Sequence, residues 1–149
     1  MTFTNRLLGA AAAILLLSAT TACSATSAPV NASGASTATQ APAAGATLTA
    51  VAIQAAIHLP NTVLLDVRTP AEYDQGHLAG AVNLDLNSSG FAGAVAALEP
   101  TKRYAVYCRS GTRSQTAMSI MQSQGIDEVY HLGGGIAAWT AAGGVVVRG

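Results

Sequence analysis

The sequence predicts an α/β fold in which a central parallel sheet is flanked by short helices on both faces. Short runs of β-branched and apolar residues alternate with short helical patterns, which is typical of a parallel, layered sheet. The run from Val63 to Val67 is apolar except at Asp66, as expected of a strand buried on both faces. In such sheets, ligand sites lie at the carboxyl ends of the strands.

The predicted elements follow one another closely from a short extended segment around Leu48 to the end of the chain. Glycine, proline and asparagine separate many of them. We expect strands over 63–67, 81–84, 104–108, 129–132 and 145–147, and helices over 51–57, 70–75, 91–98, 113–124 and 136–142. The last strand is expected to be peripheral.

Two helix ends carry clear signals in the sequence. Thr69 suits an N-cap, Pro70 suits the first helical position, and Glu72 stands where a capping box requires it. Gly125 stands where a C-cap glycine would end the helix that begins near Arg113. These residues predict where two helices begin or end.

A cysteine stands between a predicted strand and a predicted helix. The first N–H groups of a helix have no intrahelical partner and favour negative charge, so Cys108 is placed where a thiolate is stabilised. Such surroundings lower a thiol pKa from about 8.5 to roughly 3.5–7.5. A free cysteine can instead be a small buried hydrophobe. The small and polar residues that follow favour the reactive interpretation; they are Arg109, Ser110, Gly111, Thr112, Arg113 and Ser114.

Three motifs follow one another along the chain: LDVRTPAEY over 65–73, CRSGTRS over 108–114 and HLGGGIAAW over 131–139. In this order they resemble motifs of the rhodanese-homology domain. The cysteine loop, CRSGTRS over 108–114, is similar to that domain's active-site loop. LDVRTPAEY over 65–73, followed by 76–81, is similar to a motif near its start, and HLGGGIAAW over 131–139 resembles its closing motif. The resemblance covers 47–149 and implies a single rhodanese domain.

The resemblance implies transfer of sulfane sulfur. Thiolate Cys108 would take the outer sulfur of a small anion such as thiosulfate, and a thiol or cyanide would then remove it from the persulfide. Inward N–H groups of the loop can hold the charged sulfur. No metal or other cofactor is expected, and His58, His77 and His131 show no ligand spacing.

Four side chains near this chemistry have expected supporting roles. Arg109 and Arg113 are candidates for binding an anionic donor, although Arg113 can instead tie the loop to its own helix. Asp66 and Arg68 follow the buried strand, and we expect them to support the loop from its edge of the sheet. The serine and threonine hydroxyls of the loop can add donors.

Two other functions remain open from the sequence. Phosphatases and arsenate reductases of the same fold also carry a cysteine loop ending in arginine, but their loop has one more residue than the Cys-x4-Arg spacing here. A non-catalytic persulfide carrier or tethered interaction module is the other alternative. The complete loop around Cys108 favours catalysis.

The N-terminal third predicts export. Arg6 precedes an apolar run from Leu7 to Leu17, which matches a signal peptide over 1–22 and is too short for a comfortable membrane span. Cys23 resembles the lipidated cysteine of a bacterial lipoprotein, although Thr20 stands where leucine is usual; plain secretion and an uncleaved signal anchor are the alternatives. Residues 23–46 are mostly alanine, serine, threonine, proline and glycine, which predicts a disordered tether.

Composition limits the partners that we expect. The 149 residues contain seven Lys and Arg and seven Asp and Glu. With charge this sparse and balanced, the sequence has no basic stripe that would indicate nucleic-acid binding. We expect a monomer that meets the membrane only through a lipid on Cys23, on the extracytoplasmic side.

Overall fold

The computed structural model describes residues 40–149. The predicted signal peptide over 1–22, the predicted lipidation site Cys23 and most of the predicted tether over 23–46 lie outside this range. None of the helices within residues 40–149 has both the length and the hydrophobicity that a membrane span requires.

Seven strands and five helices follow one another along the described residues. In chain order they are β1 (Thr47–Leu48), α1 (Ala50–Ala56), β2 (Thr62–Asp66), α2 (Pro70–Gln75), β3 (His77–Leu78), β4 (Val82–Asn83), α3 (Phe91–Ala96), β5 (Arg103–Tyr107), α4 (Thr112–Ser123), β6 (Val129–Leu132), α5 (Gly135–Ala141) and β7 (Val146–Val147). Within this range, β3 and β4 are the one consecutive pair of strands.

Five of the strands form the central sheet, in the order β1-β6-β5-β2-β4. All four pairings in it are parallel, which confirms the predicted fold class. The strand β5 lies in the middle, so the end of this strand has neighbours on both sides. The short strands β3 and β7 pair antiparallel in a separate sheet.

Side chains of β5 alternate between two hydrophobic cores. Tyr104 and Val106 face the core that includes Phe91 of α3 and Met121 of α4, whereas Ala105 and Tyr107 face the core on the other side of the sheet. The second core contains α1 and α5 through Ile53 and Trp139. Helices therefore cover both faces, as predicted, and the middle strand is buried on both.

The two helix ends predicted from sequence adopt the expected geometry. Thr69 and Glu72 form a capping box with Pro70 in the first turn of α2. At the end of α4, Gly125 has a φ of +85°. The N–H of Ile126 donates to the carbonyl of Met121 at 3.0 Å, as in a Schellman motif. Both helix ends could be predicted from sequence because the hydrogen bonds that form each of them lie within one helical turn.

The folded part begins slightly before the predicted boundary at Thr47. Gly45, placed in the tether from sequence, donates its N–H to the carbonyl of Val129 at 2.7 Å, and Ala46 accepts from His131 at 3.0 Å. The chain is therefore already bound to the edge of β6 at these two residues.

Candidate active site

Cys108 lies at the carboxyl end of the central strand. It follows β5 directly and precedes α4, and its side chain is 1% exposed. Asp66 and Arg68 follow the neighbouring strand β2, which runs parallel to β5. The structure therefore brings these three predicted residues to one edge of the sheet, where ligand sites of α/β folds lie.

The loop turns its backbone towards the sulfur. The N–H of Gly111 donates to Cys108 Sγ at 3.1 Å. Gly111 has a φ of +103°, and a β-carbon there would lie 3.0 Å from the backbone nitrogen of Gly134. Both the backbone conformation and the close approach therefore require glycine at this position. Ser110 and Thr112 are exposed, whereas Ser114 is buried beneath them.

Hydrogen bonds outweigh burial at the Cys108 thiol. Burial raises its pKa, because a thiolate is poorly solvated in the interior. The N–H and hydroxyl of Ser114 and the N–H groups of Ser110 and Gly111 lower it, and the net result is a pKa below the ordinary thiol value. Such a shift increases the fraction of thiolate, which is the nucleophilic form.

Asp66 and Arg68 form a buried ion pair with each other. Arg68 Nη2 lies 2.5 Å from Asp66 Oδ2, and Arg68 Nε lies 2.9 Å from Asp66 Oδ1. Arg68 Nη2 also donates to the carbonyl of Gly76 at 2.7 Å, and its guanidinium lies 5.6 Å from the ring centroid of Tyr107. The pair thus joins the end of β2 to the chain after α2 and to the residue before Cys108.

Arg113 is bound to α2 rather than directed at a ligand. Its two terminal nitrogens donate to the Glu72 carboxylate at 2.7 and 2.8 Å. The hydrogen bond from Arg113 is the main cause that lowers the pKa of Glu72 to about 2. Glu72 also receives the N–H of Thr69 in the capping box. Arg113 was considered either as a ligand for an anionic donor or as a link between the loop and its own helix. The geometry favours a linking role, but Arg113 links the loop to α2 through Glu72 and not to α4.

Arg109 points into a cleft beside the loop. The cleft has a volume of about 520 Å³, and the side chain of Arg109 is exposed. None of the four ion pairs among residues 40–149 involves Arg109. The cleft is lined by Arg68, Glu72, Gln75, Gly76, Arg109, Ile136, Ala137, Thr140 and Val146. Arg68 and Glu72 are paired with Asp66 and Arg113, so within the part of the chain that the structure describes Arg109 is the cleft's one cation outside an ion pair.

The glycine turn before α5 packs against the start of the loop. Gly135 has a φ of +58°, and a β-carbon there would lie 2.3 Å from the carbonyl oxygen of Cys108. The N–H of Ile136 donates to that carbonyl at 2.8 Å. The turn therefore fixes the Cys108 backbone, which explains why glycines stand in the closing motif.

Two further histidines lie near these elements. His77 stacks on Tyr73 with ring centroids 3.7 Å apart, and its Nδ1 lies 3.0 Å from the Tyr73 carbonyl oxygen. His131 begins the closing motif and was not expected from sequence to bind a metal; in the structure its Nδ1 lies 3.1 Å from Ser114 Oγ. Spacing along the chain gave no signal for this contact, because β6 and α4 meet only through the fold.

Curated relatives match parts of this chain. A sulfurtransferase of Allochromatium vinosum is 35% identical over 83 residues, which cover 56% of this chain and 76% of that protein. The thiosulfate sulfurtransferase GlpE of Shewanella oneidensis is 34% identical over 79 residues, 53% of this chain and 76% of that protein. A tRNA uridine(34) hydroxylase of Nitrobacter winogradskyi is 42% identical over 84 residues, 54% of this chain, but the match spans only 33% of that protein.

Solved structures and a protein family match the same region. A rhodanese-related protein from Thermoplasma volcanium superimposes with a TM-score of 0.62 at 30% identity, covering 70% of this chain and 99% of that one. A rhodanese-like domain from Anabaena gives 0.61 at 28% identity, covering 68% of this chain and 78% of that one. The family described as rhodanese-like domain matches residues 49–142. The chain therefore belongs to the rhodanese-like domain family.

Proposed function

We propose that this protein is a sulfurtransferase that works through a persulfide on Cys108. The thiolate attacks the outer sulfur of a donor such as thiosulfate and forms a sulfur–sulfur bond. The bond between that sulfur and the sulfite group breaks, and its electron pair leaves with sulfite. A thiol or cyanide then attacks the outer sulfur of the persulfide and regenerates the thiolate. Because the chain is covalently modified between the two steps, ping-pong kinetics are expected.

The hydrogen bond from the Gly111 N–H to Cys108 Sγ at 3.1 Å, at the carboxyl end of the central strand, carries this proposal, and the lowered pKa of Cys108 agrees with it. The N–H groups and the Ser114 hydroxyl that act on the sulfur stabilise negative charge without a metal. The persulfide carries its charge on the outer sulfur, so donors arranged around the loop can serve the intermediate as well. Relatives named as sulfurtransferases match most of their own length to this region.

The surroundings of the loop favour a small anionic donor. Cys108 is 1% exposed, so the atom that it attacks must stand at the end of a small or slender molecule. Arg109 lines the neighbouring cleft and takes part in none of the ion pairs of residues 40–149, and such a guanidinium attracts a dianion such as thiosulfate.

A phosphatase is less well supported by the geometry. Phosphate-ester recognition would use an arginine fork at the end of the loop. Here both terminal nitrogens of Arg113 are bound to Glu72, and the loop is one residue shorter than in phosphatases of this fold. A persulfide carrier that is slow to release its sulfur is the remaining alternative, and it uses the same first step.

The place of action that we propose follows from the N-terminal sequence. Export by the segment over 1–22, with a lipid on Cys23, would place the domain on the extracytoplasmic side of a membrane. We propose that the domain acts there as a monomer at the end of its tether. Labelling with radioactive palmitate in bacteria that express the full chain tests whether a lipid is attached to Cys23, and Cys23→Ser should abolish the label.

Steady-state kinetics test the proposed activity. The full chain carrying Cys23→Ser, which leaves Cys108 as the only thiol, is assayed for thiocyanate formed from thiosulfate and cyanide. Parallel lines in double-reciprocal plots, and no turnover with Cys108→Ser, are expected. Hydrolysis of p-nitrophenyl phosphate without thiocyanate formation would instead favour the phosphatase. Persulfide formation with negligible turnover would favour the carrier.

A further inference from the structure

An ion pair joins the end of the cysteine loop to the start of α2. Arg113 is the second residue of α4, and its Nη1 and Nη2 donate to Glu72 Oε2 and Oε1 at 2.7 and 2.8 Å. Two parallel hydrogen bonds fix the plane of the guanidinium as well as its distance from the carboxylate. The end of the loop therefore moves away from α2 only if both bonds break.

The Glu72 carboxylate is itself held in place. The N–H and the hydroxyl of Thr69 both donate to Glu72 Oε2 at 3.2 Å, and the N–H of Glu72 donates to Thr69 Oγ1 at 3.3 Å. A surface ion pair usually contributes little, because two flexible side chains must be ordered to form it. Here the capping box already orders the carboxylate, so the ion pair connects two rigid helix ends.

The two ends of the loop are fixed from different sides. At the beginning of the loop, the carbonyl of Cys108 accepts the N–H of Ile136 at 2.8 Å. At its end, Arg113 connects the loop to α2. Gly111 lies between these two attachments, and its N–H donates to Cys108 Sγ at 3.1 Å. The direction of this N–H therefore depends on both attachments.

We propose that Glu72 and Arg113 are positioning residues that keep the Gly111 N–H directed at the Cys108 sulfur. In this role neither residue has to touch a substrate, and both terminal nitrogens of Arg113 are bonded to Glu72. The N–H stabilises negative charge on the sulfur, so the ion pair favours the thiolate. The inference rests on the proposed function in one respect, that Cys108 is the nucleophile.

Charge and position have opposite effects when Glu72 is removed. A carboxylate near the loop disfavours a thiolate, so the loss of its charge alone would lower the pKa of Cys108. A weaker hydrogen bond from Gly111 would instead raise that pKa. Glu72→Ala therefore distinguishes the two effects by the sign of the change, whereas loss of the Arg113 charge would raise the pKa in either case.

The pH dependence of Cys108 alkylation measures this sign. The full chain carrying Cys23→Ser is treated with iodoacetamide over a range of pH, and the rate gives the pKa of the thiol. We expect Glu72→Ala to raise this pKa by about half a unit to one unit, because the Gly111 hydrogen bond to the thiolate is weakened.

Glu99→Ala is the matched control. Glu99 pairs with Lys102 at 2.6 Å in an exposed ion pair, and both residues precede β5, whereas Cys108 follows it. This substitution removes the acidic residue of an ion pair at the opposite end of the central strand. It should therefore leave the alkylation pKa of Cys108 unchanged.

Arg113→Lys tests the other residue of the pair. Lysine keeps a positive charge near the loop but has no planar fork of donors. Charge alone therefore predicts an unchanged alkylation pKa, whereas we expect a rise of about half a unit. Denaturant unfolding shows whether each variant is folded at the assay pH, and Arg113→Lys decides the question if Glu72→Ala is not.

Amide hydrogen exchange observes the Gly111 N–H itself. We expect exchange at Gly111 to be faster in Glu72→Ala and Arg113→Lys than in Glu99→Ala. Unchanged exchange would overturn the proposal, as would an unchanged or lower alkylation pKa in folded Glu72→Ala or Arg113→Lys. Alkylation requires no sulfur donor, so these results are separate from those of the sulfur-transfer assay. Failure to transfer sulfur with the expected alkylation shifts would count against the proposed function alone.

Discussion

Replacing Gly135 by alanine should disturb the cysteine loop, because the glycine turn before α5 packs against the backbone of Cys108. A β-carbon there would lie 2.3 Å from the Cys108 carbonyl oxygen and 2.6 Å from that of Arg109. Both contacts are with backbone, so a side-chain rotation cannot relieve them. The left-handed φ of +58° costs a non-glycine residue about 1–2 kcal/mol. Overpacking adds about 1–3 kcal/mol. We therefore expect the free energy of unfolding to fall by about 2–5 kcal/mol.

Gly143→Ala is the matched control for this substitution. Gly143 has a φ of +81°, and a β-carbon there would meet nothing within 4 Å. Gly143→Ala should therefore lower the free energy of unfolding only by the cost of the left-handed φ, about 1–2 kcal/mol. Denaturant unfolding measures both variants. Equal losses would refute the argument that the glycine turn is packed against the loop. A larger loss at Gly135, together with a higher alkylation pKa of Cys108, would support it.

Three further predictions concern charged residues around the loop. The ionised Glu72 carboxylate stabilises the fold above pH 4.5, and this stabilisation is lost as the pH falls towards 2. Because the Glu72 side chain is 29% exposed, we expect Glu72→Gln to lower the free energy of unfolding at pH 7 by only about 1–2 kcal/mol. Unfolding at pH 7 and pH 3 checks this, and an equal difference at both values would contradict it. Asp66→Ala should cost about 3–5 kcal/mol because it leaves Arg68 buried without its partner; a loss under about 1 kcal/mol by denaturant unfolding would contradict this. Arg109→Ala should raise the KM for thiosulfate about fivefold with little change in unfolding. An unchanged KM for thiosulfate would show that Arg109 does not contribute to binding of the donor.

Local signals allowed much of the fold to be predicted from sequence. The capping box at Thr69 and Glu72 and the glycine at Gly125 are complete within one helical turn, so sequence spacing is enough to define them. The central strand before Cys108 was equally clear, because β-branched and aromatic residues end at a small polar loop. These elements also fix the edge of the sheet at which the loop lies.

Contacts between distant segments were harder to predict. The strand β3 has only two residues and pairs with β7 across about 70 positions of sequence, so neither length nor periodicity revealed it. Glu72 was recognised as a cap, but its ion pair with Arg113 depends on how α2 packs beside α4. The His131–Ser114 contact likewise arises only when β6 lies beside β5.

The mass of the intact chain shows whether Cys108 takes up sulfur from a donor. Full chain carrying Cys23→Ser is measured before and after thiosulfate, beside the same chain with Cys108→Ser. We expect a gain of the mass of one sulfur atom that cyanide reverses, with no gain in the Cys108 variant. If thiosulfate and other sulfane donors add no sulfur to Cys108, the proposed sulfurtransferase mechanism is wrong.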